Sequence, residues 1–271
     1  MEVGRLSISV EAGLIANSEG RLAAITVRIP EAQRSVDAYR AARGVFDAIQ
    51  MQLCFEQDLP IHESAIVVWR ADGEVKIGRF ALGYPALDFD TTKRFPSLIM
   101  QRLITPYANA LQSPTAYYSF LVYFALIEFL MGPWIGAIRV AHEKRGLPFP
   151  KRTYLLTQPE IGQILPAMRG KSYQEALTEY RHLRNLAGGG HFSFSIGPRI
   201  GTVVTDDEVA AVRDLLRVVV KTLLLYARED IENLTSAGGV NESDLAIEIQ
   251  AHLDKTDGHK KAAQVKKKKK R

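Results

Sequence analysis

Cysteine is nearly absent from this chain: Cys54, within an apolar run, is the single one in 271 residues. That excludes an intramolecular disulfide and a cysteine-rich metal cluster, and it points to a reducing, cytoplasmic setting. Paired metal-ligating residues are equally sparse. His62-Glu63 and His142-Glu143 are isolated pairs without a third ligand, so neither a metal site nor a cofactor is expected. The opening Met1-Glu-Val-Gly-Arg lacks a basic stretch followed by an apolar one, so a signal peptide is not expected. No internal repeat is visible. Gly170-Lys171-Ser172 lacks the glycine that a phosphate loop needs five positions earlier, where Leu165 stands. Asn233-Leu-Thr235 is a glycosylation sequon by pattern only, because no secretion signal accompanies it.

What is present describes a soluble globular chain with a sizeable core: 46% hydrophobic residues and 24% charged ones. The sequence pI of 9.2 is a property of one end. Lys260, Lys261, Lys266 to Lys270 and Arg271 supply eight positive charges, and without those eight the net +5 becomes −3. The body is mildly acidic and the basicity is a tail. Lys266, Lys267, Lys268, Lys269, Lys270 and Arg271 would raise affinity for nucleic acid by releasing counterions, without base preference, since no aromatic residue interleaves them. As a plain charge run, the tail reads as solvated and disordered.

Tyr117 to Ile138 approaches the roughly 20 apolar residues that span a bilayer. Glu128 at its centre is costly in lipid, so the segment is expected to be a core helix without stable membrane insertion.

Periodicity divides the chain. Leu6, Ile8 and Val10 alternate with polar residues, as do Ile25, Val27 and Ile29, which predicts two strands with one buried face. From Ser35 to about Phe55 the spacing is helical, with Tyr39, Val45, Phe46, Ile49, Leu53 and Cys54 on the apolar side. Ile66 to Trp69, then Asp72-Gly73, then Val75 and Ile77 read as a hairpin. Residues 86 to 96 read as a linker, and the remainder reads as helices. Ser113-Pro114, Thr157 with Glu160, Ser172 with Glu175, and Thr205 with Glu208 mark helix starts. They predict helices over 114 to about 144, 158 to about 168, 173 to about 187 and 206 to about 230, with a weaker one after Ser243. The fold class is therefore α+β: residues 1–84 a small α+β domain, 85–112 a linker and connecting helix, 113–236 an antiparallel helical bundle, and 237–271 a C-terminal extension with the disordered basic tail.

One stretch, Tyr180 to Phe192, carries residues suited to phosphodiester chemistry. Arg184 offers a permanently charged fork for phosphate oxygens, and His191 offers an imidazole that exchanges protons near neutral pH. On a continuous helix over 173 to 187, Ala176, Tyr180, Leu183 and Ala187 share a narrow arc, and Arg184 falls between Tyr180 and Leu177. A guanidinium on a packing face needs an acid or an anion. Glu128, in the most apolar helix, is the acid expected to pair with it across the bundle. His191 follows the glycines 188 to 190, which are expected to end the helix and to leave His191 on the same side as Arg184.

Arg184-Asn185 followed by His191 resembles the signature of the HEPN superfamily, an arginine and a histidine separated by four to six residues with a polar residue after the arginine; here the separation is six. The run Tyr117 to Glu128 resembles the first long helix of bacterial HEPN proteins, an aromatic face ending at a glutamate. The two matches cover roughly residues 113 to 230 and leave the first 84 outside. The resemblance implies a HEPN-like helical bundle that forms a homodimer, with binding of RNA or nucleotide and metal-independent endoribonuclease action in defence or stress response. On that resemblance Arg184 would polarise the scissile phosphate, His191 would act as general acid or base, and Asn185 would orient one of them, with Glu128 and Tyr180 in support. The layout of a β-rich start before this helical domain is also weakly similar to the MauJ group of methylamine-utilisation proteins. That similarity implies the alternative, a non-catalytic accessory or scaffold protein whose N-terminal domain binds a protein partner.

Overall fold

Asn17 sets the register of the first of two units, Met1–Pro96 and Ser97–Arg271. The computed structural model describes residues 2–3, 6–7, 11–19, 22–29, 35–71, 74–81, 97–188 and 206–268. Asn17 Oδ1 accepts a hydrogen bond from Glu19 N at 2.9 Å, a side-chain turn that mimics a backbone one. The hairpin built on it joins β3 (Glu11–Ala16) to β4 (Leu22–Ile29) and sets Leu14 opposite Ile25 and Glu11 opposite Arg28. The strand expected from Leu6 to Val10 is present at β2 (Leu6–Ser7), with residues 8–10 outside the described ones, and among the described residues it pairs with β1 (Glu2–Val3) in a separate two-stranded ribbon. The turn chemistry downstream decides the pairing.

The main sheet runs β3-β4-β6-β5 and is antiparallel throughout. Its second hairpin, β5 (Glu63–Ala71) and β6 (Glu74–Ala81), places Ala71 opposite Glu74 with Asp72 and Gly73 between, as the sequence predicts. Helix α1 (Ser35–Gln57) lies against the two central strands, β4 and β6. Its Val45, Phe46, Ile49 and Leu53 are buried, as are Ile25, Val27 and Ile77 of the sheet, and Val27 stands opposite Ile77. Asp58, at φ 56°, ends the helix in the left-handed conformation.

The second unit is helical. Helix α2 (Leu98–Leu111) starts at Ser97, whose Oγ accepts from Met100 N at 3.1 Å. It is expected to be a connector, but Met100, Ile104 and Tyr107 are buried and it packs on the helices over Ala116–Phe129 and Asp206–Ser236, so it belongs to the helical unit. Helix α3 (Ala116–Phe129), a π turn over Leu130–Trp134 and helix α4 (Ile135–Lys144) form one run. Pro133 has no N–H to give and crowds the preceding turn, and the wider π turn accommodates it. The run Ala116–Lys144 is long and apolar enough to cross a membrane, and 44% of its most apolar window is buried inside the fold. Helix α8 (Asp206–Ser236) packs along α3 and buries Val212, Leu216, Val219, Leu223 and Ala227.

Two expected helix starts are corrected, and a third helix starts as expected but ends early. Thr115, rather than Ser113, is the N-cap of α3, because Ser113 Oγ turns back to Thr115 N at 3.2 Å. Thr157 forms no capping box, and Pro159 and Pro166 confine the expected helix to α5 (Ile161–Ile164) and a 3-10 turn at Pro166–Met168. The Ser172–Glu175 box does form, but the helix it starts, α6 (Tyr173–Glu179), breaks at Tyr180 before α7 (Arg181–Gly188). Thr205 lies outside the described residues.

Helix α9 (Glu242–Lys268) is much longer than a weak terminal helix. Glu242 Oε1 accepts from Ile99 N at 3.2 Å and ties its start to α2. The expected disordered tail is correspondingly shorter, since the helical backbone includes Lys266, Lys267 and Lys268, residues of good helix propensity. Lys269, Lys270 and Arg271 lie outside the described residues.

Glu248 fastens α9 to the end of α4. Its Oε2 accepts from Arg145 Nη2 at 2.9 Å, and Lys144 Nζ lies 2.9 Å from Oε1. The Arg145 hydrogen bond, helped by Lys144, holds the Glu248 carboxyl below the ordinary value of 4.5. A depressed carboxyl contributes stability that is present above that ordinary value and is lost as pH falls below it. Hydrogen exchange in α9, corrected for intrinsic rate, is therefore expected to be faster below the ordinary carboxyl value than at neutral pH. Glu248→Gln should show fast exchange already at neutral pH and little further change. Equal pH response in both proteins would refute this clamp.

Candidate functional site

Arg184 reaches its position through a relay of short elements. The Ser172–Glu175 capping box starts α6, with Ser172 N donating to Glu175 Oε2 at 2.6 Å and Glu175 N donating to Ser172 Oγ at 3.1 Å. The chain then turns at Tyr180, whose carbonyl accepts from Leu183 N at 3.1 Å and Arg184 N at 3.4 Å and so restarts the helix. Leu183, only 1% exposed, anchors α7, which packs on α3. From that anchor Arg184 Nη1 donates to Glu128 Oε1 at 2.9 Å. Its guanidinium carbon stands 5.3 Å from the centroid of Phe124, one helical turn before Glu128.

The expected pairing is thus present, although its environment differs from expectation. The side chains of Arg184 and Glu128 are 43% and 40% exposed, so the pair is half-open to solvent rather than buried in the bundle. The break at Tyr180 is the cause: α7 restarts with its own phase, Leu183 takes the packing direction, and Arg184 moves to the edge of it. At such exposure the ion pair itself contributes about 0–1 kcal/mol. What it does is aim the guanidinium. Among the described residues only Nη1 has a hydrogen-bond acceptor; the other N–H groups of the fork are donors of the kind that an anion accepts from.

Tyr180 is present as the hinge of this arrangement. Asn185 lies on α7, but its side chain is not among those described, and His191 lies outside the described residues. His182, on the same helix, has its Nδ1 2.9 Å from the Glu179 carbonyl, bracing the α6–α7 junction. Among the described residues no group of three or more His, Cys, Asp or Glu is placed to hold a metal.

A second constellation escaped the sequence reading. Arg152, in the segment between α4 and α5, forms two parallel hydrogen bonds with Asp230 of α8: Nη1 to Oδ2 at 2.7 Å and Nη2 to Oδ1 at 2.8 Å. Their side chains are 7% and 4% exposed. The guanidinium also lies over Tyr226 at 4.6 Å, and Tyr154 meets Tyr226 and Tyr173 edge-on. Gln158 Nε2 donates to Tyr173 Oη at 2.8 Å and to Thr222 Oγ1 at 3.1 Å. Burial pushes the Asp230 carboxyl above the ordinary 3.8, against the pull of Arg152. Burial likewise raises the phenols of Tyr173 and Tyr154. Because both lobes of the Arg152 fork are already engaged, this cluster locks the segment between α4 and α6 onto α8. One signal was available: Asp230 follows Ala227 by three and precedes Leu234 by four on the buried stripe of α8.

Comparison of this chain with family models, with curated proteins and with solved structures gives no match.

Proposed function

We propose that the helical unit is a HEPN-like domain that binds RNA or nucleotide in the cytoplasm, and that it acts as a metal-independent endoribonuclease. The observation that carries the reading is the aim of Arg184, held by Glu128 and Phe124 while the rest of its fork stays exposed. In this reading the guanidinium grips the scissile phosphate and Asn185 orients the reacting groups. His191 takes the proton of the ribose 2′-hydroxyl or gives one to the leaving oxygen. Attack of the 2′-oxygen on phosphorus breaks the bond to the 5′-oxygen, leaving a 2′,3′-cyclic phosphate and a 5′-hydroxyl. Two such motifs meet in one cleft in a homodimer, and the basic tail adds affinity without base preference.

The test is incubation of single-stranded RNA with the purified protein in EDTA. The expected result is cleavage with cyclic phosphate ends, together with a dimer in sedimentation. Intact RNA would refute the nuclease, and a monomer would refute the shared cleft.

The Arg184–Glu128 pair also favours a second reading. An arginine whose charge is already balanced serves equally as a strut, and the chain is then a non-catalytic accessory or scaffold protein with a partner on its N-terminal unit. In that case Arg184→Ala lowers partner binding or stability slightly, and no RNA is cut.

A further inference from the structure

A groove of about 800 Å³ opens between α2, the end of α3 with its π turn, and α9. All of its walls belong to the helical unit, and no role in the proposed site uses it. Its volume lies in the range of small-molecule sites, roughly 300–1,000 Å³. Leu103, Leu126, Phe129 and Leu253 make it predominantly apolar. Its polar groups are few and divide unequally. Gln250 Nε2 donates to Asp254 Oδ1 at 2.8 Å, so those two satisfy each other. Arg102 also lines the groove and forms no hydrogen bond or ion pair among the described residues. Trp134, 4% exposed and part of the same lining, holds its indole Nε1 buried without an acceptor. Arginine and indole N–H groups donate only, and a buried donor left without an acceptor is unfavourable. The groove therefore combines an apolar wall with one cation, the exposed Arg102, and Trp134 in its lining holds a buried donor that no described residue satisfies.

We propose that this groove binds an amphipathic monocarboxylate, with its hydrocarbon body against the leucines and Phe129 and its carboxylate on Arg102. A carboxylate presents two acceptors that match a guanidinium fork. The π turn places Trp134 on this wall, and such turns occur often at functional sites. The site is independent of Arg184, so either can fail without the other.

Decanoate is the probe, used below its micelle concentration. The chain has two tryptophans, Trp69 and Trp134, and Trp69→Phe leaves Trp134 as sole reporter. Saturable change in Trp134 fluorescence with decanoate, and little with decanol, is expected. Calorimetric titration of the unsubstituted chain gives the same answer should Trp69→Phe disturb folding. Arg102→Leu should weaken decanoate roughly ten- to a hundredfold, and Ala246→Phe, which fills the groove, should abolish binding. Decanol binding as well as decanoate, or Arg102→Leu binding unchanged, would overturn the proposal. So would finding that the groove seats a second copy, seen as an oligomer that Ile247→Asp dissociates while decanoate fails to bind.

Discussion

Asp230→Asn is expected to destabilise the helical unit by about 3–5 kcal/mol, because it leaves the Arg152 guanidinium charged, buried and without its carboxylate. Thermal unfolding should shift down on the order of 10 °C for a unit of this size. The partner is 7% exposed and donates to both Asp230 oxygens, and the longer 3.4 Å contact of its Nη2 with the exposed Glu229 is a poor substitute, so water has little room to replace them. The double substitution Arg152→Met with Asp230→Leu should recover most of the loss. Burial already outweighs the arginine's attraction at the Asp230 carboxyl, which sits above its ordinary value. Removing both charges removes that burial penalty along with the attraction. The pH sense is opposite to that of Glu248. A raised carboxyl costs stability as pH rises from the ordinary 3.8 through its folded value. Urea titration of the two single variants and the double one decides the matter. Additive losses would show that Arg152 and Asp230 act independently, contrary to the geometry.

His191→Ala is expected to slow RNA cleavage roughly 10²–10⁴-fold, the usual worth of a general acid or base. Binding should barely change, because the imidazole acts on protons rather than on phosphate charge. Arg184→Ala should weaken both rate and affinity, since its fork serves ground state and transition state alike. Glu128→Gln should fall between, lowering rate through loss of aim while leaving the guanidinium in place. Single-turnover rates measured beside filter binding separate the four proteins. A His191→Ala protein that cuts as fast as its parent would remove the histidine from the mechanism and leave the scaffold reading.

The Arg184–Glu128 pair shows what a wheel can and cannot deliver. A charged residue on an apolar stripe demands a partner, and that demand was legible; Glu128, alone in the most apolar helix, was the natural one. The exposure was not legible, because the wheel assumed one helix from 173 to 187 and the chain breaks at Tyr180. The β5–β6 hairpin and the buried side of α1 were readable for a similar reason, as each depends on local period and turn residues. Helix α5 was not, since Pro159 and Pro166 overrule the cap pattern at Thr157. Arg152 gives no local signal at all. It lies in a segment without periodicity, and its partner is 78 positions away, a pairing that only the folded chain defines.

The π turn at Leu130–Trp134 acts on the helix as an inserted tooth acts on a gear. It takes up one residue beyond the α-helical count, and each residue is worth about 100° of rotation. Everything after Trp134 is therefore indexed one step differently from everything before it. Phe120, Phe124 and Ile127 are buried on one count, and Ala137, Ile138 and Ala141 are buried on the next. Winding Leu130–Trp134 as plain α-helix, with no residue removed, would turn everything after it by about 100° and carry Lys144 and Arg145 away from Glu248. The helix would be more regular and the fold would lose its grip on α9.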